Sequence, residues 1–210
     1  MAGPPGLTDV VRTFYAVAGP LPFELRLKEL PDCKGEFEVP AGCVQAFPLK
    51  HRVPAADMRS PCRGRASLIP SGQRRRASPC VTGPPCKAAS RWAASCVPGS
   101  AARRAALKVV YATDTRPCAA LRRAAQDADL LLMDSTYADD ADLPKAKLYG
   151  HSTCRETGVL AAEANVCRLW LTHYSAAVTD LAPACRRAAG VPHRSAGVDG
   201  MRLTLNFDPD

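Results

Sequence analysis

The chain has 210 residues, long enough for one domain with a sizeable core, and carries ten cysteines and a net charge of +8 at pH 7. No run approaches the roughly 18 apolar residues of a membrane span, and Met1–Asp9 lacks the basic stretch and apolar run of a secretory signal. A membrane protein and a disulfide-framed secreted domain are therefore not expected, and the absence of any C-x-x-C pair argues against a zinc ribbon. The cysteines read as thiols in a reducing cytoplasm.

Residues 1–58 form the first patterned segment. Gly3-Pro4-Pro5-Gly6 reads as a turn, after which Thr8 is expected to cap a helix running to about Ala18. Phe23, Leu25 and Leu27 alternate with charged residues, as in a half-buried strand. Val44–Leu49 is a second strand candidate, ending just before His51.

Residues 59–106 have a different character. They hold nine Arg, one Lys and no acid, so the basic excess of the whole chain lies there; elsewhere 18 Lys and Arg face 20 Asp and Glu. The large apolar residues, Leu68, Ile69, Val81, Trp92 and Val97, fit neither the helical nor the strand period. Pro recurs at 61, 70, 79, 84, 85 and 98, which breaks long elements. The segment reads as a disordered basic insertion, as a nucleic-acid-binding arm with Arg74-Arg75-Arg76 contacting phosphates, or as coding sequence read in a shifted frame. The last is favoured, because the globular pattern stops and restarts abruptly.

Residues 107–210 are regular again. Strands are expected at Leu107–Thr113, Asp129–Met133, Val166–Leu171 and Met201–Phe207, and helices at Cys118–Asp127, Thr153–Ala164 and Thr179–Ala189. Thr153 and Glu156 have the spacing of a capping box. This alternation predicts an α/β layered domain. Asp114, Asp134 and His173 fall just past strand ends, and His51 follows its strand in the same way. In open α/β sheets ligand sites gather at such ends. His193 is read as lying in a polar loop without a role.

Four stretches then stand in a fixed order: Phe47-Pro48-Leu49-Lys50-His51-Arg52-Val53-Pro54, Tyr111-Ala112-Thr113-Asp114-Thr115-Arg116-Pro117, Tyr149-Gly150-His151-Ser152-Thr153 and Leu171-Thr172-His173-Tyr174-Ser175. Asp129 to Tyr137 and Asp199-Gly200-Met201 extend the set. Together they resemble the C-terminal part of the ribonuclease Z family. The resemblance implies a partial metallo-β-lactamase fold, an αββα sandwich, here without the N-terminal segment that carries the family's His-x-His-x-Asp-His metal motif.

The resemblance also implies site roles. His51 and His173 would each be a terminal ligand to one of two zinc ions, and Asp114 would bridge them; imidazole nitrogen and carboxylate oxygen suit that metal. The metal pair would activate water and clamp the scissile phosphate. His151 would be the general acid toward the leaving 3′ oxygen, Asp134 would orient it, and Arg155, on the following helix, would contact phosphate. Precursor tRNA is the implied partner and a homodimer the implied assembly. Two departures count against full activity: His51, Asp114 and His173 leave neither ion a complete shell, and Ser175 is followed by Ala176, Ala177 and Val178 where the family often has Ser-x-Arg-Tyr. The family's tRNA-gripping arm would fall within 59–106, which has no arm-like pattern. The expected function is zinc-dependent cleavage of tRNA 3′ trailers, impaired in this chain. A non-catalytic remnant or binding module, and another metallo-β-lactamase-fold hydrolase, are the alternatives.

Overall fold

The protein is described by a computed structural model covering residues 1–19, 21–39, 42–52, 56–62, 66–67 and 107–205, with backbone alone at 42, 56–62 and 66–67. Most of 59–106 and the end of the expected last strand lie outside these residues, and with them the insertion, arm and shifted-frame readings.

Near the N-terminus, β1 (Ala2–Gly3) pairs in parallel with β2 (Lys28–Glu29) across helix α1 (Leu7–Ala18). Thr8 does not cap this helix. Gly6, at φ 92°, precedes it, and the Thr8 amide donates to the Glu29 carboxylate at 2.8 Å. Those hydrogen bonds hold the exposed Glu29 carboxyl below its usual range. The strand expected at Phe23–Leu27 does not form; pairing with β1 begins only at Lys28.

A seven-stranded sheet follows. Its strands are β3 (Gly35–Val39), β4 (Gly42–Pro48), β5 (Ala56–Cys62), then β7 (Leu107–Ala112), β8 (Leu130–Asp134), β9 (Arg168–Thr172) and β10 (His193–Ala196), after a short β6 (Ala66–Ser67) that pairs instead with β11 (Thr204–Leu205). The spatial order is β10-β9-β8-β7-β5-β4-β3. Strands β7 to β10 are parallel, and β7-β5-β4-β3 are antiparallel. Strand β5 runs across the expected boundary at 58/59. His193 opens β10 rather than sitting in a loop. The last strand is shorter than expected, Thr204–Leu205 within the described residues.

The helices of the parallel block are α2 (Ala119–Ala125), α3 (Leu143–Tyr149), α4 (Cys154–Glu163) and α5 (Leu181–Arg187). Parallel strands need crossover helices, and crossovers are right-handed. Because β7, β8, β9 and β10 step in one direction across the sheet, right-handed crossovers must put their helices on one face. Accordingly Leu121 and Ala125 of α2, Leu160 and Ala161 of α4 and Ala184 of α5 pack with Val110, Leu131, Met133, Leu169 and Leu171 of the strands. The opposite face has a smaller cluster, Leu107, Val109, Leu130 and Leu205, with Leu132, Trp170 and Leu203 at its margin. Gly158 lets α4 and α5 touch: a Cβ there would stand 2.6 Å from the Ala188 carbonyl carbon. Among the described residues, no helix is long and apolar enough to cross a membrane.

Candidate metal centre and proton-transfer site

The topology brings four separate loops to one place. Strands β7, β8 and β9 are parallel, so Asp114, Asp134 and His173 share the sheet's carboxyl edge. Strand β4 is antiparallel to β5, and β5 to β7; two reversals make β4 run with β7, and His51 emerges at the same edge. The backbone bridge between Lys50 and Arg116 fastens the two loops there. His151 arrives from the α3–α4 turn. Its neighbour Gly150 adopts φ 85°, and a Cβ at 150 would press at 3.1 Å on His51 Cδ2 and the Arg52 amide. That position needs glycine both for its backbone angle and for the close approach to His51.

The rings converge. His151 lies 5.3 Å from His51, edge-on, and 5.2 Å from His173, stacked. His173 Nε2 is 3.0 Å from Asp114 Oδ1, and His151 Nδ1 is 3.9 Å from the same oxygen. Ligand atoms of His51, Asp114 and His151 lie within 4.8 Å of one another, as do those of Asp134, His151 and His173. Asp114 and His173 are held in the left-handed region, at φ 50° and 61°. Neither is glycine, so each costs about 1–3 kcal/mol, a strain that recurs at functional sites.

Asp134 and Asp114 play opposite parts. The Asp134 side chain is fully buried and accepts five hydrogen bonds. Oδ2 takes the Thr115 amide at 2.9 Å and His151 Nδ1 at 3.0 Å. Oδ1 takes the Thr136 amide at 2.9 Å, the Thr136 hydroxyl at 2.8 Å and the Ser152 amide at 3.4 Å. Its acceptor capacity is used up, which suits an orienting group and not a metal ligand. The Asp114 side chain is 50% exposed and faces the histidines.

The carboxylate also fixes both tautomers. A carboxylate only accepts, so the His151 proton sits on Nδ1 and Nε2 is left open. Thr136 Oγ1, 2.9 Å from His173 Nδ1, has two acceptors for its one proton, Asp134 Oδ1 at 2.8 Å and the His173 carbonyl at 3.0 Å. It therefore accepts from His173 Nδ1–H and leaves Nε2 with its lone pair toward Asp114. Such outer hydrogen bonds are how metal-binding histidines are oriented. Two lone pairs facing each other at 3.0 Å need a cation or a proton between them. The His173–Asp114 pair thus fits a metal such as zinc, whose neighbouring ligand atoms stand about 3.3 Å apart, and His51 offers a further imidazole in the cluster with Asp114 and His151.

Arg155, expected to touch phosphate, pairs with Asp140 and lines a cleft of about 340 Å³ with Pro183, Arg186, Arg187 and Ala189. A second cleft, lined by Tyr137, Ser175, Val178 and Asp180, shares Pro183 and Arg187 with it. Tyr137 reaches the site, its ring 6.5 Å from that of His151. The expected capping box is present: Glu156 N donates to Thr153 Oγ1 and Thr153 N to Glu156 Oε2. Thr136 and Arg116 were not singled out from the sequence; both stand inside the motif stretches, but their roles depend on which loops meet.

Comparison with known proteins gives a consistent answer. No protein-family model matches the chain. Among solved structures, it resembles human tRNase Z, short form (TM-score 0.57, 20% identity, 96% of this chain and 66% of that one). It also resembles the metallo-β-lactamase fold protein YhfI from Bacillus subtilis (TM-score 0.60, 15% identity, 97% and 64%). These likenesses establish the metallo-β-lactamase fold in partial form, since the chain spans about two thirds of either structure. By sequence, it is 32% identical over 218 aligned residues to a ribonuclease Z of Agathobacter rectalis, covering 99% of this chain and 71% of that protein. A ribonuclease Z of Lachnospira eligens is 30% identical, with 100% and 71% covered. With this extent of likeness and the His51, Asp114, His151 and His173 motifs drawn to one sheet edge, the chain belongs to the ribonuclease Z family.

Proposed function

We propose that the protein is a metal-dependent endoribonuclease that cleaves the 3′ trailer from precursor tRNA, in the cytoplasm and as a homodimer. The observation that carries this reading is the pair of clusters at the sheet's carboxyl edge, His51 with Asp114 and His151, and Asp134 with His151 and His173. His51 and His173, through imidazole nitrogen, and Asp114, through its carboxylate, would hold the zinc ions. When bound, the ions supply positive charge at the scissile phosphate and make an attacking water more acidic.

The chain's own groups handle the rest. Asp134 holds His151 by Nδ1–H, so that a second proton, taken up at Nε2 to make the imidazolium, can pass to the 3′ oxygen as its bond to phosphorus breaks and water oxygen takes its place. Arg155 and Arg187, which pair with Asp140 and Asp139, exchange those partners for an RNA phosphate in the cleft that they share with Arg186. Those arginines stand in for the one missing from the Ser175-Ala176-Ala177-Val178 stretch.

Three donors shared between two ions make weak binding the expectation for the 210-residue chain by itself. The test is zinc titration by calorimetry together with cleavage of a trailer-bearing tRNA precursor at several zinc concentrations. Zinc affinity should fall at least tenfold in Asp114→Ala, and any cleavage should fall by a factor of about 10²–10⁴ in His151→Ala. Zinc binding indifferent to Asp114 would defeat the proposal.

A further inference from the structure

We infer that Arg116 is a positioning residue: its guanidinium fastens the His151 loop to the loops of Asp114 and His51 and so sets where the His151 ring stands. The consequence for turnover rests on the endoribonuclease reading above; the fastening itself does not.

Arg116 sits two residues beyond Asp114, with its side chain 13% exposed. Nη1 donates to the His151 carbonyl oxygen at 2.7 Å and to Glu156 Oε2 at 2.7 Å, while Nη2 pairs with Glu156 Oε1. Its backbone amide donates to the Lys50 carbonyl at 2.9 Å, next to His51. The Lys50 amide in turn donates to Thr115 Oγ1 at 3.3 Å. Three loops, each carrying one candidate site residue, therefore meet on a single residue.

The contact with His151 is not explained by helix capping. Thr153 and Glu156 complete the cap of α4 between themselves. Arg116 adds a bond to the peptide of His151, outside that cap. Its planar fork of five N–H donors can hold a carbonyl and both oxygens of a carboxylate at once; a lysine ammonium, a single point of charge, cannot span the same set. Charge bears on the placement too. A bare guanidinium beside a dication site would repel the ions, and pairing with Glu156 leaves the clamp neutral. His151 is thereby held at both ends, the ring by Asp134 and the backbone by Arg116. With one end released, the ring keeps its partner but the loop can drift, and a displacement of about 1 Å can cost on the order of 10²-fold in rate.

Hydrogen exchange read by mass spectrometry on the full 210-residue chain without metal tests this independently of activity. In Arg116→Ala, amides 150–156 should exchange at least tenfold faster while peptides from β8, β9 and α2 keep their protection. Arg116→Lys keeps a charge for Glu156 but loses the fork, so amides 150–153 should still quicken while α4 stays protected; this variant decides the matter if the alanine variant does not fold. On the cleavage assay, kcat should fall about 10- to 100-fold with KM unchanged. Unchanged exchange at 150–153 in both variants, or acceleration spread evenly over the sheet, overturns the inference. If the wild-type chain does not cleave precursor tRNA, the function proposed above fails while the exchange result still stands or falls alone.

Discussion

On one side of β7 lie three parallel strands backed by helices; on the other lie β5, β4 and β3, antiparallel. The parallel side contributes Asp114, Asp134, His151 and His173 to the site, and the antiparallel side contributes His51. The two sides are also filled differently. Leu131, Met133, Leu169 and Leu171 are fully buried under α2, α4 and α5. In the N-terminal region α1 buries no residue, and Val10, Phe14 and Val17 are exposed along one stripe at helical spacing. A geometry that must hold to a fraction of an ångström sits on the half whose elements cannot shift without opening a packed core.

The sharpest way to break this comparison is Asp134→Ala. It would leave the buried amides of Thr115, Thr136 and Ser152 and the His151 ring without their acceptor. At about 1–3 kcal/mol for each orphaned group, the loss should exceed about 4 kcal/mol in urea unfolding, most of the stability of a domain at the low end of the ordinary range. A loss below about 1 kcal/mol would mean that the parallel side is not organised around this carboxylate.

A smaller effect should appear at alkaline pH. Burial pushes the thiol of Cys154, the first residue of α4, from an ordinary value near 9 to about 12, and burial raises Tyr174 in the same direction. Between pH 9 and 12 the unfolded chain has lost the Cys154 proton and the folded chain has kept it. The folded state then binds more protons, so stability falls as pH rises, by up to about 1.4 kcal/mol per pH unit for this one group. Cys154→Ala should flatten the slope; an unchanged slope would remove the thiol from the account. The smallest change is expected on the other side of the comparison: Phe14→Ser should alter unfolding stability by no more than about 0.5 kcal/mol. A loss above about 2 kcal/mol would show that α1 has a covered face and is as tightly packed as the parallel side.

The gathering of His51, Asp114, Asp134 and His173 at one place was legible because topology enforces what the sequence suggests. Parallel strands all end at one edge, so chemistry-bearing residues placed just after strands must meet there. Locally patterned elements such as α2, α4, β8 and β9 were legible for a related reason: their apolar spacing serves a single buried face. Strand β10 was missed because His193-Arg194-Ser195-Ala196 is an edge strand with no apolar alternation, and only its register with β9 makes it a strand. The seven residues of α3 have a weak pattern and are recognisable mainly by Pro144 near their start and Gly150 at their end. The reverse error at Phe23–Leu27 has the same origin, since alternation describes a strand that has a neighbour and cannot supply one. Thr136 and Arg116 needed the third dimension: Thr136 matters through His173, 37 positions away, and Arg116 through His151, 35 positions away.

One carboxyl group sets the spacing of two histidines. His151 hangs directly on one oxygen of Asp134, and His173 hangs on the other through Thr136. The width of a single carboxyl group thus acts as a caliper between the residue proposed to move a proton and the residue proposed to hold a metal. Neither can be retuned alone by substitution at Asp134: lengthening it to glutamate would displace both rings together. Adjustment of the metal side by itself has to come through Thr136, where serine would keep the hydroxyl relay and valine would cut it, leaving His151 in place.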